Sequence, residues 1–302
     1  MNKQTGVAVV MAILIVALAA MVASALMWEQ NLWLREVEND HDLAQAQIIA
    51  VAGSDWAAAI LNGSSRTVNY LQEPWAQQLP PLPVETGVIS GFIEDQQGLF
   101  NLNNLVNNGE TDQKQKAKFE RLLAILGLPV ELGNAVADWI DADNQIQGPG
   151  GAEDAYYLGL PKPYRAANRM LTDVGELASV RGFNQTVIDR LKPFVSALPK
   201  VTPVNANTAP AEVLAAMVDG MTLPEARELI TARETSHFNT ISDFRAALPR
   251  LDLSIVDTDF SVASQFFLVT IQTRFGRANS SVRTLLDREG NLWPVTVWQK
   301  SL

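Results

Sequence analysis

Between Glu131 and Asp154 the chain sets six acids, Glu131, Asp138, Asp141, Asp143, Glu153 and Asp154, and no lysine or arginine. Asp138 and Asp141 stand one helical turn apart and share a face. Asp143 and Asn144 fall where that helix should end, and Gly148-Pro-Gly-Gly151 folds the chain back towards Glu153 and Asp154. Carboxylates gathered without cationic partners repel one another, and a hard cation relieves that repulsion; calcium prefers such oxygen ligands. Asp138, Asp141, Asp143, Glu153 and Asp154 are therefore candidate calcium ligands. The spacing is not that of an EF-hand: with Asp141 as position 1, position 6 is Ile146 and position 12 is Ala152. A solvated acidic loop and a catalytic carboxylate site are the two other readings of the same residues.

Other chemistry finds little to work with. The 302 residues contain no cysteine and only His41 and His237, which excludes a disulfide framework, a cysteine zinc site and a histidine-rich metal site. No Gly-x-Ser-x-Gly nucleophile elbow and no Gly-x-x-x-x-Gly-Lys phosphate loop is present. A net charge of −10 argues against general binding to a phosphate backbone. One stretch, Asn205-Ala-Asn-Thr-Ala-Pro210 with Arg233, Phe238 and Asp243-Phe244 further on, looks like the helix-hairpin-helix modules of DNA-binding competence proteins. Its hairpin, Asp219-Gly220-Met-Thr-Leu-Pro224, has one glycine and an aspartate where such modules offer backbone N–H groups and basic residues to phosphate. It reads better as a packing unit.

These candidates sit in a run of short helices from about Asn101 to Pro249. Two stretches are alike: Asn101-Leu-Asn-Asn104 ahead of Leu122–Gly127 and Ala135–Ile140, and Asn205-Ala-Asn-Thr208 ahead of Val213–Met217, Gly220 and Ala226–Ile230. Each predicts an Asn-rich N-cap, a helix, a glycine turn and a second helix. Pro210 and Glu212 suit the first turn of the second unit.

Strands flank this block. Arg66–Tyr70 and Val88–Glu94 are candidates on one side, with Pro74, Pro80, Pro81 and Pro83 marking a loop between them and Asp95–Gly98 a turn after. On the other side come Gln265–Phe275, Ser281–Leu286 and Leu292–Trp298, with Pro294 placing the last at a sheet edge or beside a bulge.

The N-terminal part is one long helix. Val7–Met27 carries no charge and at 1.5 Å per residue reaches roughly 31 Å, a bilayer core. Lys3 and the terminal amine precede it; Glu29, Glu36, Glu38, Asp40 and Asp42 follow it against Arg35. That asymmetry predicts a cytoplasmic N-terminus, with the rest of the chain across the membrane. Beyond Trp28 no breaker intervenes until Gly53, and Asn62–Ser65 is the stop. Ala44, Ile48, Ala52, Trp56 and Ile60 recur at i+4, a row expected to pack on the sheet. Ala23-Ser-Ala25 is a weak signal-peptidase site, and a plain anchor is a second option. The Gly6–Val7 junction resembles a class III, type IV pilin-like leader, cut after the glycine so that the apolar helix stays with the mature chain.

With leader, anchored helix, helical block, Asp138-Trp-Ile-Asp-Ala-Asp143 and Asn205-Ala-Asn-Thr-Ala-Pro210 in that order, the chain resembles the minor pseudopilin K family of type II secretion over essentially its whole length. The resemblance implies an α+β, pilin-like fold, a long N-terminal helix on an antiparallel sheet, interrupted by a large α-helical domain with helix-hairpin-helix or SAM-like repeats. It implies a leader at 1–6, a transmembrane part at 7–27, pilin-like segments at 28–100 and 256–302, and the inserted domain at 101–255. It further implies structural calcium in that domain, an inner-membrane anchor with the soluble part in the periplasm, processing by prepilin peptidase, and no enzymatic activity. The implied neighbours are minor pseudopilins I and J in a tip complex, with other pseudopilins below. Val7 replaces the phenylalanine usual after the cut, and Met11, the fifth mature residue, replaces the usual glutamate. A membrane-anchored helix-hairpin-helix DNA-uptake protein and a calcium-dependent periplasmic enzyme are the rival classes.

Overall fold

The computed structural model describes residues 5–84, 86–290 and 293–302. Met1–Gln4 of the expected leader, and Asn291 and Leu292 of the last expected turn and strand, lie outside them. Helix α1, Thr5–Gly63, runs without a break from the apolar segment into the soluble part. Its apolar window is wholly exposed, and its length and composition suffice to cross a membrane.

Five antiparallel strands form the sheet, in the order β1 (Leu79–Val84), β2 (Gly87–Asp95), β3 (Phe266–Phe275), β4 (Ala278–Asp287) and β5 (Val295–Ser301). The prolines at 80, 81 and 83 thus lie in a strand and not in a loop. They are tolerated because β1 is an edge strand with a register irregularity between Leu79 and Leu82. Arg66–Tyr70 is not a strand. Its backbone is held by local side chains instead, with the Asn69 amide donating to Ser65 O at 2.9 Å and Tyr70 N to Glu73 Oε1 at 3.0 Å.

Helix α1 lies on one face of the sheet, but not through the row the periodicity singled out. Ala46, Ala50, Gly53, Ser54, Ala57, Ala58 and Leu61 are buried, whereas Ala44, Ile48, Ala52 and Trp56 are exposed and Ile60 is half-buried. Small residues win this face because the backbones approach closely: a Cβ on Gly53 would come 2.9 Å from Ile89 Cδ1 and 3.1 Å from Ile271 Cγ2. Trp75, Phe267, Val269 and Val282 complete that core.

Helices α2 (Gln113–Ile125), α3 (Leu132–Ile140), α4 (Asp154–Tyr157), α5 (Gln185–Leu191), α6 (Ala211–Met217), α7 (Leu223–Thr235) and α8 (Ile241–Ala246) surround a second, larger core. They leave and rejoin the sheet at one place, since Asp95, the last residue of β2, is paired with Phe267 at the start of β3. The helical block is an opened β2–β3 hairpin. A buried polar cluster seals the opening. The Asp95 carboxylate accepts from Asn205 Nδ2, Thr208 Oγ1, Ser264 Oγ and Gln97 N at 2.6–2.9 Å. Arg288 donates to Leu61 O, Ser64 Oγ, Ser65 O, Asn69 Oδ1 and Ser264 O at 2.6–3.1 Å, tying the end of α1 and the loop after it to the residues that lead into β3.

The two Asn-rich stretches make equivalent bonds. Asn101 and Asn205 each accept from the N–H two residues on. Asn103 exchanges bonds with both backbone groups of Leu171, as Asn207 does with Phe238. Their role differs from the expected helix N-caps: α2 is capped by Asp112, and α6 begins behind Pro210 without a side-chain cap. The glycine turns are as read, with Gly127 and Gly220 at φ 63° and 74°.

Candidate metal centre

Helix α3 is buried over its whole length, because apolar residues surround Asp138 on every side: Ala135, Val136, Ala137, Trp139 and Ile140. Asp138 is carried into the interior with them, and Asp141 caps the helix in extended conformation. The loop then returns through Gly148 and Gly150, at φ 150° and 82°. Gly151 presses against Asp138 so closely that a Cβ would overlap Oδ2. That approach brings Glu153, just ahead of α4, to the two aspartates.

Asp141, Asp143 and Glu153 offer oxygens that lie within 4.8 Å of one another. Oxygens about 2.4 Å from one calcium ion are separated by no more than this. Asp138 and Asp141 are fully buried, Glu153 is 3% exposed, and Asp143 is exposed. Several of these groups have one satisfied oxygen and one that is not. Asp138 Oδ1 accepts from Gln147 N at 3.1 Å, and Asp141 Oδ2 from Thr111 Oγ1 at 3.0 Å. Asp138 Oδ2, Asp141 Oδ1 and both Glu153 oxygens are buried without a partner. Orphaned buried carboxylate oxygens are rare and costly. Burial first, then the neighbouring carboxylates, push Glu153 up to about 8; burial is also the main cause raising Asp138 to about 6, and Asp141 moves the same way. A cation placed among them would reverse those shifts, so the residues present fit calcium.

Asp154 is engaged elsewhere. Its Oδ1 accepts from Ala166 N at 3.0 Å, and Oδ2 lies 3.4 Å from Arg165. It braces the segment after α4 and, like Asp138, lies outside the group of three whose oxygens approach one another; Asp138 adds its orphaned Oδ2 beside that group. Sequence reasoning missed Thr111, which reaches the site from a two-strand ladder pairing Val106–Asn107 with Glu110–Thr111. It also missed Arg181, which donates to Gly151 O at 2.9 Å and stacks over Tyr156. Only the glycine-rich return loop hinted that something would have to hold it.

The hairpin considered for DNA is consumed internally. Asp219 pairs with Arg121, and Arg250 donates to Gly220 O at 2.7 Å. Basic residues here bind the protein's own groups.

A helix long and apolar enough to cross a membrane, on a five-stranded antiparallel sheet with a helical block let into one hairpin, defines a pilin-like subunit. Two family models for type II secretion system protein K match residues 98–200 and 204–263. The chain is 35% identical to type II secretion system protein K of Pseudomonas aeruginosa, over 94% of this chain and 89% of that one. Against the protein of the same name in Klebsiella pneumoniae it is 32% identical, over 97% and 95%. Its fold matches, at a TM-score of 0.79 and 24% identity, a chain in the crystal structure of the GspK–GspI–GspJ complex from enterotoxigenic Escherichia coli, covering 88% of this chain and 99% of that one. The chain belongs to the type II secretion system protein K family and has the role of a minor pseudopilin. The DNA-uptake reading finds no support in these relatives.

Proposed function

We propose that this minor pseudopilin caps the periplasmic pseudopilus, one copy per fibre, with minor pseudopilins I and J, and that calcium braces its helical domain. The observation that carries the position is Met11. In a helical fibre each mature N-terminus leaves a positive amine among apolar helices. A glutamate at the fifth position of the subunit below neutralises it, since an unpaired charge in that setting costs several kcal/mol. The topmost subunit has no amine above it, and there a glutamate would itself be the unpaired charge. Met11 removes it. The breadth of the helical domain agrees, because bulk inserted beside β2 and β3 obstructs a regular lattice.

Calcium is held by Asp138, Asp141, Asp143 and Glu153; the four orphaned oxygens support this over a solvated loop. The two Asn-centred units act as packing modules of helix-hairpin-helix type, and the protein has a structural and not a catalytic role. Its leader, 1–6, is removed by prepilin peptidase after Gly6. Residues 7–27 anchor it in the inner membrane, and 28–100 and 256–302 frame the inserted domain, 101–255, in the periplasm. The complex formed by the structural relative supports I and J as partners, with other pseudopilins below. Affinity capture of the full chain from detergent-solubilised membranes tests this: I and J should come with it in equal amounts, and capture of neither would refute the assignment.

A further inference from the structure

Glu94 of β2, Leu268 of β3, Leu285 of β4 and Trp298 of β5 are register partners and form one row across four strands. Val269 and Leu286, the next residues along their strands, face the α1 core, so alternation puts the row on the opposite side of the sheet. The helical block does not close on this row. The turn Val174–Ser179 and helix α5 overhang it and leave a cleft of about 490 Å³, with the row as floor and Ile188 in the roof. Clefts of this size between two structural units are where small ligands bind. Half of the charged side chains that line it are already matched. Asp173 lies 3.2 Å from Lys300, Asp189 accepts from Gln185 Nε2 at 2.7 Å, and Asp95 belongs to the buried cluster at the junction. Among the described residues, Glu94, Arg283 and Lys192 make neither a hydrogen bond nor an ion pair. Arg283 is half-buried inside the cleft, whereas Glu94 and Lys192 are exposed at its mouth. Partial desolvation raises the Glu94 carboxyl, and Arg283 and then Lys192 offset this only in part.

We propose that this cleft binds a short acidic peptide with free termini, its ammonium on Glu94, its apolar side chain over Leu268 and Leu285, and its carboxylates on Arg283 and Lys192. The spacing fits. Glu94 and Arg283 stand on β2 and β4, two strand spacings or roughly 10 Å apart. Three extended residues at about 3.3 Å each cover the same distance. The charges fit as well, since one unmatched acid and two unmatched bases complement one ammonium and two carboxylates. A guanidinium grips a carboxylate at two points, whereas an ammonium on Glu94 is a single point contact, so Arg283 orients the peptide. Lys300, the register partner of Arg283, is tied to Asp173 of the overhang. That bridge closes the cleft beyond Arg283 and admits a chain end there, not a continuing chain. The site depends neither on the cation nor on the position in the fibre.

The test is titration calorimetry of the full chain in detergent with the tripeptide alanyl-leucyl-glutamate, its termini free. The peptide should bind saturably at one site, with a Kd of about 1 mM or tighter. Its N-acetylated and C-amidated forms should each bind about tenfold more weakly. The free peptide should lose as much on Glu94→Gln and on Arg283→Gln, and Arg283→Lys should recover part of the loss. Asp189→Asn, at a lining acid already bonded to Gln185, should leave the affinity at the wild-type value. Melting midpoints of the Glu94 and Arg283 variants should match wild type, because neither side chain holds another group of the protein. The blocked peptides put the same question to the unaltered chain, so a variant that melts early does not decide the outcome. Binding weaker than about 1 mM, equal affinity for free and blocked peptides, or undiminished affinity in both charge variants would overturn the site.

Discussion

Thr111 donates its hydroxyl to Oδ2 of Asp141 at 3.0 Å, and so leaves Oδ1 of the same carboxylate buried and free for a cation. A hydrogen bond of this kind fixes a ligand's orientation, and its loss typically lowers metal affinity 10- to 100-fold. Thr111→Val should weaken calcium binding by about tenfold, read by titration calorimetry of the full chain in detergent, and should also lower the metal-free melting point, because Oδ2 of Asp141 then loses its donor. An unchanged affinity would mean that Asp141 is not a ligand.

Calcium should stabilise the chain by about 2.7 kcal/mol at a hundredfold excess over Kd. Asp141→Asn should abolish that gain, whereas Asp154→Asn should retain it, because Asp154 is bonded to Ala166 and Arg165. Melting with calcium and with chelator distinguishes the two. Loss of the gain in both variants would return Asp154 to the ligand set.

The same site predicts a pH dependence. In the metal-free chain the carboxyls of Asp138 and Glu153 titrate above their unfolded values, near 6 and 8. Their protonated forms are favoured by folding, so their contribution is full below about pH 4 and is lost as pH rises through 6 and then 8. With chelator present, stability from these groups should fall between pH 5 and 8. Calcium binding displaces those protons, so its affinity should rise over the same interval. Parallel pH profiles with and without calcium would contradict the assignment.

Arg288 holds five oxygens, of the α1 end, the loop after it and the entry to β3. Arg288→Met would strand buried acceptors at about 1–3 kcal/mol each. The variant should unfold at distinctly lower urea than wild type, with a loss of about 3 kcal/mol or more. A loss under 1 kcal/mol would show that the junction is held by packing alone.

Much of this was legible in the sequence, and the failures have physical causes. The acidic cluster showed because six carboxylates without a base have few stable arrangements, and the glycines at 148, 150 and 151 marked the close return. Distance along the chain hid Thr111 and Arg181, which arrive from other elements. Strand β3 is a long apolar run and β4 alternates over most of its length, and both announced themselves. Pro80, Pro81 and Pro83 concealed β1, since nothing local says that a strand will be at an edge. Periodicity at i+4 revealed that Ala44–Ile60 forms an apolar row but not what the row faces. Small residues such as Gly53 and Ala57 took the sheet, and the bulky ones were left outward.

The proposed leader makes its own prediction. Mass spectrometry of the protein from its native membrane should find Val7 at the N-terminus, and Gly6→Leu should leave Met1 in place. A start after Ala25 would mean a cleaved secretory signal and no retained anchor.

The position at the fibre tip is tested most directly by crosslinking. The chain has no cysteine, so single cysteines placed along Val7–Met27 report only the neighbours of this helix. One copy per fibre predicts adducts with minor pseudopilins and no adduct between two copies of this chain. A ladder of self-adducts along the pseudopilus would place it in the shaft and contradict the account.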